Sequence, residues 1–338
     1  MTWPSDLPGG AVQRAVNAHA HLTLERSGNA SIAAWQRLRL SELVYWLVKQ
    51  VPWWRARLGP SFSLEEWLHL SELSRFELRN MAAVHGPAPV PEHHGSVTAF
   101  YVAGPPGAPA RYFTSAFSQV LVDHAFYADH RRQGRNPYAL QACISEDIPA
   151  HDGTHIEVPA SIESGTGVQV IRSMALFTKR AHMQWLHTLE PAYLTTPPAW
   201  LDAALDQALS DGAPLPEMRQ VLTYGANVSN KLRSKVRQQL GASVRHRYTC
   251  LECGPLAFQC PRSDDYFHIA VGNAMVEVVQ DNGAVAEEGV QGRVLVTALH
   301  QYATPMLRHD IGDRAALHHH CPGCGLVAPA LSQLIQSA

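Results

Sequence analysis

The sequence predicts an α/β protein: a parallel sheet flanked by helices, followed by a smaller, β-rich C-terminal end. Three observations lead there. The stretch 220–248 runs strand, helix, strand, and that order makes neighbouring strands parallel with the helix packed on one face. Beyond it, 276–279 and 292–299 alternate as antiparallel strands around the tight-turn residues Asp281-Asn282-Gly283. The chain has 338 residues, 46% of them apolar. It is long enough to bury about three-quarters of its unfolded surface, and too apolar for wholesale disorder.

The elements follow in chain order. Residues 31–51 read as an amphipathic helix, with Ile32, Trp35, Leu38, Leu43, Val44, Leu47 and Val48 at three- and four-residue spacings. Two capping boxes, Ser63-x-x-Glu66 and Ser74-x-x-Glu77, each open a short helix. A Pro/Gly-rich connector, 85–96, closes this helical lead-in. Residues 98–103 suit a short strand, 114–133 a helix ended by Gly134 at C′, and 140–144 a buried strand. A helix spans 199–210. Ser229 caps another that runs to Leu240 with Leu232, Val236 and Leu240 on one face and Gly241 behind it. The stretch 145–175 shows no clear period. The expected organisation is a helical lead-in (1–96), an α/β core (97–250) and a β-rich part (251–338), forming one continuous domain.

Composition excludes several function classes. The net charge of −2 leaves no electrostatic footprint for nucleic acid and no basic face for an anionic membrane. No apolar run approaches the ~18 residues of a membrane span, and the first residues lack a basic region followed by an apolar one. The expectation is a cytoplasmic protein. The 19 histidines are scattered and read as part of the polar surface. Six cysteines in a chain this long are no disulfide scaffold, so a metal role comes first.

Three phrases stand in order: Tyr248-Thr249-Cys250-Leu251-Glu252, then 287–297 (EEGVQGRVLVT), then Pro305-Met306-Leu307-Arg308-His309-Asp310-Ile311-Gly312-Asp313. By residue type, Glu252 after a strand supplies a hard carboxylate suited to Mg²⁺ on ATP phosphates. Asp313 after a glycine turn supplies an acceptor suited to two ribose hydroxyls. The turn Tyr224-Gly225-Ala226, with Tyr248, is suited to hold an adenine ring, because small residues let the backbone come close.

Together these phrases resemble the adenylate-forming enzymes, and within them the phenylacetate–coenzyme A ligase family, whose phrases read approximately YGxSE, EGExGExVxT and PLIRYRTGD. Ser74-Arg75-Phe76-Glu77-Leu78-Arg79 is similar to that family's opening, and the likeness is best over 215–325. The resemblance implies the large N-terminal domain of an adenylate-forming enzyme. It also implies ATP-dependent activation of a small carboxylic acid as acyl-adenylate, with transfer to coenzyme A, a carrier protein or an amine. Tyr224, Gly225, Ala226, Tyr248, Glu252, Arg308 and Asp313 would bind the nucleotide, and Glu252 would hold its magnesium.

The chain departs from the pattern in three places. Asn227 stands where the family usually has Glu. The family's phosphate loop, approximately TSGTTGxP, aligns with Val102-Ala103-Gly104-Pro105-Pro106-Gly107-Ala108-Pro109. Gly104 and Gly107 survive, every hydroxyl is gone, and two prolines remove backbone donors, so this reads as an ordinary Pro-Gly turn that grips triphosphate poorly. Lysines stand only at 49, 179, 231 and 235, so the lysine of the family's C-terminal lid has no counterpart. The expectation is a chain without that lid, completed by a protein partner. A non-catalytic relative that binds nucleotide, acyl-adenylate or a partner protein is the alternative.

Cys321-Pro322-Gly323-Cys324 has the spacing of a zinc knuckle. The resemblance implies Cys260 and His268 as the second pair, completing a structural zinc site. Cys250 and Cys253 are the rival pair, and one of His318, His319 and His320 could replace His268.

Overall fold

The computed structural model describes residues 10–102, 109–146, 156–158 and 168–337. Gly104 and Gly107 lie outside these residues, so the expected phosphate turn has no described structure. No helix among the described residues is long and apolar enough to cross a membrane. The chain forms two compact units, residues 17–125 with 249–337, and residues 10–16 with 126–248.

In the first unit the lead-in is helical: α1 (Gly10–Arg26, unforeseen, and starting before the unit), α2 (Asn29–Gln50), α3 (Pro52–Leu58) and α4 (Arg75–His85). Helix α2 buries Ile32, Leu40, Leu43, Val44 and Leu47, whereas Leu38 of the expected stripe is 46% exposed. Both capping boxes form. At Ser74 the backbone N–H donates to Glu77 Oε2 (2.9 Å) and the Glu77 N–H donates to Ser74 Oγ (3.2 Å), which satisfies two of α4's orphan donors. The 63–66 box opens a short helix of 3-10 type, Leu64–His69.

Strand β1 (Val97–Val102) pairs antiparallel with β2 (Ala110–Ser115), a strand that periodicity missed. Helix α5 (Ala116–Arg132) follows at once, and Gly134 ends it with φ 66°. The expected helix start at 114 lies two residues inside β2.

The 126–248 unit is a parallel sheet with one antiparallel edge. Its strands are β3 (Gln141–Ser145), β4 (Ile156–Val158), β5 (Gln169–Ser173), β6 (Tyr193–Thr195), β7 (Gln220–Tyr224) and β8 (Ser243–Cys250). They lie in the order β4-β5-β3-β6-β7-β8, and only β4 runs against its neighbour. Helices α6 (Lys179–Leu189), α7 (Pro198–Ser210) and α8 (Asn230–Leu240) supply the crossovers. Ser229 caps α8 through the Leu232 N–H, at 3.1 Å. One core joins sheet and helices through Ile144, Leu194, Val221, Leu201, Leu205, Leu232 and Val236. The strands β5 and β6 are too short to stand out in sequence, whereas helix α6, as long as α8 and likewise capped by a hydroxyl at Thr178, went unforeseen.

Strand β8 ends with Cys250 in the first unit, where an antiparallel sheet completes the chain: β9 (Gly254–Gln259), β10 (Phe267–Ile269), β11 (Ala274–Val279), β12 (Gln291–Ala298), β13 (His309–His318) and β14 (Ala330–Ile335). The order is β11-β12-β13-β14-β10-β9. The Asp281-Asn282-Gly283 turn exists, with Gly283 at φ 84°, but it returns the chain to a bridge between Val279 and Val285 before β12 begins. The lead-in packs on β13: the Leu73 N–H donates to Arg308 O (3.0 Å) and the Asp310 N–H to Leu73 O (2.9 Å).

The histidines depart from expectation. Those at 21, 94, 124, 130, 182, 246, 268, 300 and 309 are buried, so they belong to the interior as much as to the surface.

Candidate metal centre and nucleotide-site residues

The clearest cluster of chemical groups is built by β-strand register. Cys260 follows β9, and antiparallel pairing sets Phe267 of β10 opposite Gln259 and His268 opposite Phe258. On its other edge β10 meets β14, with His268 opposite Ala330. The chain between β13 and β14 folds into a knuckle. There the Gly325 N–H donates to Cys321 O (2.8 Å) and the Cys321 N–H to Leu326 O (2.8 Å), with Gly325 at φ 78°. At Gly323 a Cβ would stand 2.6 Å from Ser263 Cβ, so only glycine lets the knuckle close against the loop after Cys260.

The result brings Cys260, His268, Cys321 and Cys324 together, with one ligand atom from each and all four within 4.8 Å of one another. Cys324 Sγ lies 3.3 Å from His268 Nε2, and the Arg262 N–H donates to Cys260 Sγ (3.4 Å). Three members are buried and Cys324 is half-buried. Burial pushes the Cys321 thiol up to about 12 and raises that of Cys260. Protonated thiols hold no metal, so a cation entering here has to displace their protons and then supplies the charge that stabilises the thiolates. Three sulfurs and one imidazole nitrogen make a four-ligand set of the kind that structural zinc takes, with no position left open for catalysis. His318 is turned elsewhere, its Nε2 2.8 Å from Ser332 Oγ, and His319 and His320 are exposed. Cys250 and Cys253 pair with each other instead, Sγ to Sγ at 3.2 Å.

The residues expected around a nucleotide divide between the two units. In the 126–248 unit, Tyr224 ends β7 and its hydroxyl donates to Ser145 Oγ at the end of β3 (2.6 Å). Gly225 follows at φ 84° with open space where a side chain would stand, and Ala226 is exposed. The Tyr224-Gly225-Ala226 turn thus lies at the carboxyl ends of parallel strands, where open α/β sheets bind ligands. Tyr248, in β8, is fully buried.

In the other unit Glu252 sits in the turn between Cys250 and Gly254. The Cys250 thiol donates to its Oε2 (2.9 Å). Gly254, at φ 82°, is as tightly placed: a Cβ there would come within 2.9 Å of Val122 Cγ2. The neighbouring Tyr112 hydroxyl is pushed up to about 12, by burial first and by the Glu252 charge second. Asp313 in β13 is nearly buried and accepts from the Ser337 N–H (2.7 Å) and the Ser337 hydroxyl (3.0 Å). Arg308, at φ 49°, is 3% exposed. Its guanidinium donates to Leu70 O (2.7 Å) and Leu68 O (3.1 Å) and lies 3.3 Å from Glu277, so it ties the third phrase to the lead-in.

One group of residues escaped the sequence. Arg293, inside the second phrase, forks onto Glu72 (2.5 and 2.8 Å) and reaches Asp310 (2.6 Å). These ion pairs hold its pKa above the ordinary arginine value. Nothing in the local text around Glu72 announces this partner, because 221 residues separate them.

Residues 148–300 match the family described as AMP-binding enzyme. No curated protein matches the sequence. The structure is similar to that of 2-hydroxyisobutyryl-CoA ligase in an open conformation with 2-HIB-AMP and CoA, at 16% identity and a TM-score of 0.75 over 98% of this chain and 80% of that one. Against the same enzyme with 2-HIB-AMP and CoA in the thioesterification state, the TM-score is 0.76, again at 16% identity, over 99% and 73%. The anthranilate CoA ligase AuaEII, in complex with anthranoyl-AMP, aligns over 64% of this chain and 44% of its own, at 14% identity and a TM-score of 0.51. The chain therefore has the α/β fold of the large N-terminal domain of adenylate-forming enzymes, and it matches the AMP-binding enzyme family over residues 148–300.

Proposed function

We propose that this chain binds an adenine nucleotide and activates a small carboxylic acid as its acyl-adenylate, for transfer to a thiol such as coenzyme A. The observation that carries the reading is the AMP-binding enzyme match over 148–300, on a fold that spans a ligase solved with an acyl-AMP and CoA. The Tyr224-Gly225-Ala226 turn takes the adenine, with Ser145 holding the Tyr224 ring in place and Tyr248 supporting the strand from within. Asp313 accepts from the ribose hydroxyls. Glu252 orients the nucleotide phosphates through magnesium, which neutralises charge as the acid's carboxylate attacks the α-phosphorus and pyrophosphate leaves. Arg308 acts from beneath, by fixing the approach to β13. Cys260, His268, Cys321 and Cys324 hold a structural zinc that pins β10, the knuckle and β14.

Pyrophosphate exchange with a panel of aromatic and aliphatic acids tests the reading. Acid-dependent exchange supports it, and its absence together with a failure to bind AMP refutes it.

A second reading is favoured by one observation: residues 102–109 contain no hydroxyl and three prolines. On this reading the chain binds AMP or acyl-adenylate and does not turn over ATP. Tight AMP binding without exchange distinguishes it.

A further inference from the structure

We propose that Cys250 and Cys253 are a site of reversible oxidation, which closes to a disulfide on reaction with a hydroperoxide and thereby takes from Glu252 the hydrogen bond that Cys250 donates to it. The two sulfurs already lie 3.2 Å apart, because the turn through Leu251 and Glu252 folds Cys253 back beneath Cys250. The corner reaches solvent: Leu251 is 55% exposed and Cys250 is half-buried, so an oxidant meets Cys250 first. Cys253 is buried behind it and rests against Met306 Sδ at 3.7 Å, which leaves it in place to resolve an oxidised Cys250. The remaining cysteines of this unit, 260, 321 and 324, are gathered around His268, so the pair stands apart from the metal centre.

The chemistry balances. The Cys250 sulfur attacks the outer oxygen of the hydroperoxide, the O–O bond breaks, and an alcohol (or water, from hydrogen peroxide) leaves with a sulfenic acid on Cys250. The Cys253 sulfur then attacks that sulfur, the S–O bond breaks, and water departs with the Cys253 proton. Two thiols lose two electrons in all and the peroxide gains them. Oxidation removes the S–H that Cys250 donates to Glu252 Oε2, at 2.9 Å in the structure. The carboxylate then loses its nearest donor, and the turn that carries it is closed into a small ring.

The disulfide stands on geometry alone. Its effect on ligand binding rests on the proposed role of Glu252 with magnesium. The test uses the metal-loaded full chain, treated with about one equivalent of hydrogen peroxide and then alkylated before and after reduction. Peptide mapping is expected to show Cys250 and Cys253 protected until reduction, while Cys260, Cys321 and Cys324 retain their thiols. Calorimetry on the same samples is expected to show ATP·Mg²⁺ affinity reduced about tenfold, AMP affinity unchanged, and both recovered with a dithiol reductant. Cys250→Ser, which cannot be oxidised and whose hydroxyl can still donate to Glu252, should keep ATP·Mg²⁺ binding after peroxide. Free alkylation of both residues in treated wild type, or their pairing with other cysteines, overturns the site. A mapped disulfide with unchanged ATP·Mg²⁺ affinity overturns its effect on Glu252. Reduced protein that binds neither nucleotide refutes the ligase reading, and the thiol map then decides the disulfide by itself.

Discussion

Glu252 and Asp313 are both carboxylates in turns or strands of the same unit, yet their surroundings differ. Glu252 is half-buried with a thiol donor at 2.9 Å, whereas Asp313 is nearly buried and already accepts from Ser337. The proposed roles separate in binding experiments. Glu252→Gln keeps the shape and loses the charge, so ATP·Mg²⁺ affinity should fall roughly ten- to a hundredfold while AMP is little affected, as titration calorimetry with each nucleotide would show. At Asp313 the informative variant is Asn, which leaves an oxygen for Ser337. AMP affinity should fall by a similar factor, with melting temperature nearly unchanged. Equal AMP binding by wild type and Asp313→Asn would remove the ribose role.

At the scale of elements, the knuckle and the strands it joins form the most closely constrained segment. Cys321→Ala and Cys324→Ala each delete one of four ligands. Emission spectrometry should find about one zinc per chain in wild type and far less in either variant, with lowered thermal stability, because a closed site contributes its binding energy to folding. Cys253→Ala should keep its zinc. Helix α4 offers a smaller, independent check. Removing the Ser74 hydroxyl breaks its capping box, so Ser74→Ala should lose about 1 kcal/mol in denaturant unfolding. The segment 102–109 makes the opposite kind of prediction. With prolines where the family has backbone donors, AMP should bind at least as tightly as ATP·Mg²⁺, and Ser or Thr at 103, 105 and 106 should improve ATP selectively.

For the whole molecule, the buried histidines dictate a pH dependence. Those at 94, 130, 182 and 300 are each held down to about 4, foremost by burial. Their folded values lie below the ordinary 6.5, so the unfolded chain binds more protons than the folded one between these limits. The stability associated with their neutral forms is fully present above about pH 6.5 and is lost as pH falls towards 4. Denaturant midpoints should therefore decline steadily from pH 7 to pH 4.5, and His182→Gln should flatten that decline. A flat profile would mean that these rings are hydrated in solution.

Where a pattern is local, residue order alone determined it. The two capping boxes, the Ser229 start and Gly241 end of α8, and strand β7 follow from hydrogen bonds and periodicity within a dozen residues. The convergence of Cys260, His268, Cys321 and Cys324 was also foreseen, through the knuckle spacing and the family resemblance. Tertiary structure decided the rest. Register put His268 beside the knuckle and turned His318 onto Ser332, a choice that no spacing rule makes. Besides His268, packing hid eight histidines that composition assigned to the surface. Long-range pairing joined Arg293 to Glu72 and gave Arg308 to the carbonyls of the lead-in, and pairing with β1 made β2 a strand that takes in the first two residues of the expected helix. For Arg293 and Arg308 the deciding partner lies far away in sequence. Burial and hydrogen bonding depend on what the folded chain brings near, whereas the local text records only what its immediate neighbours allow.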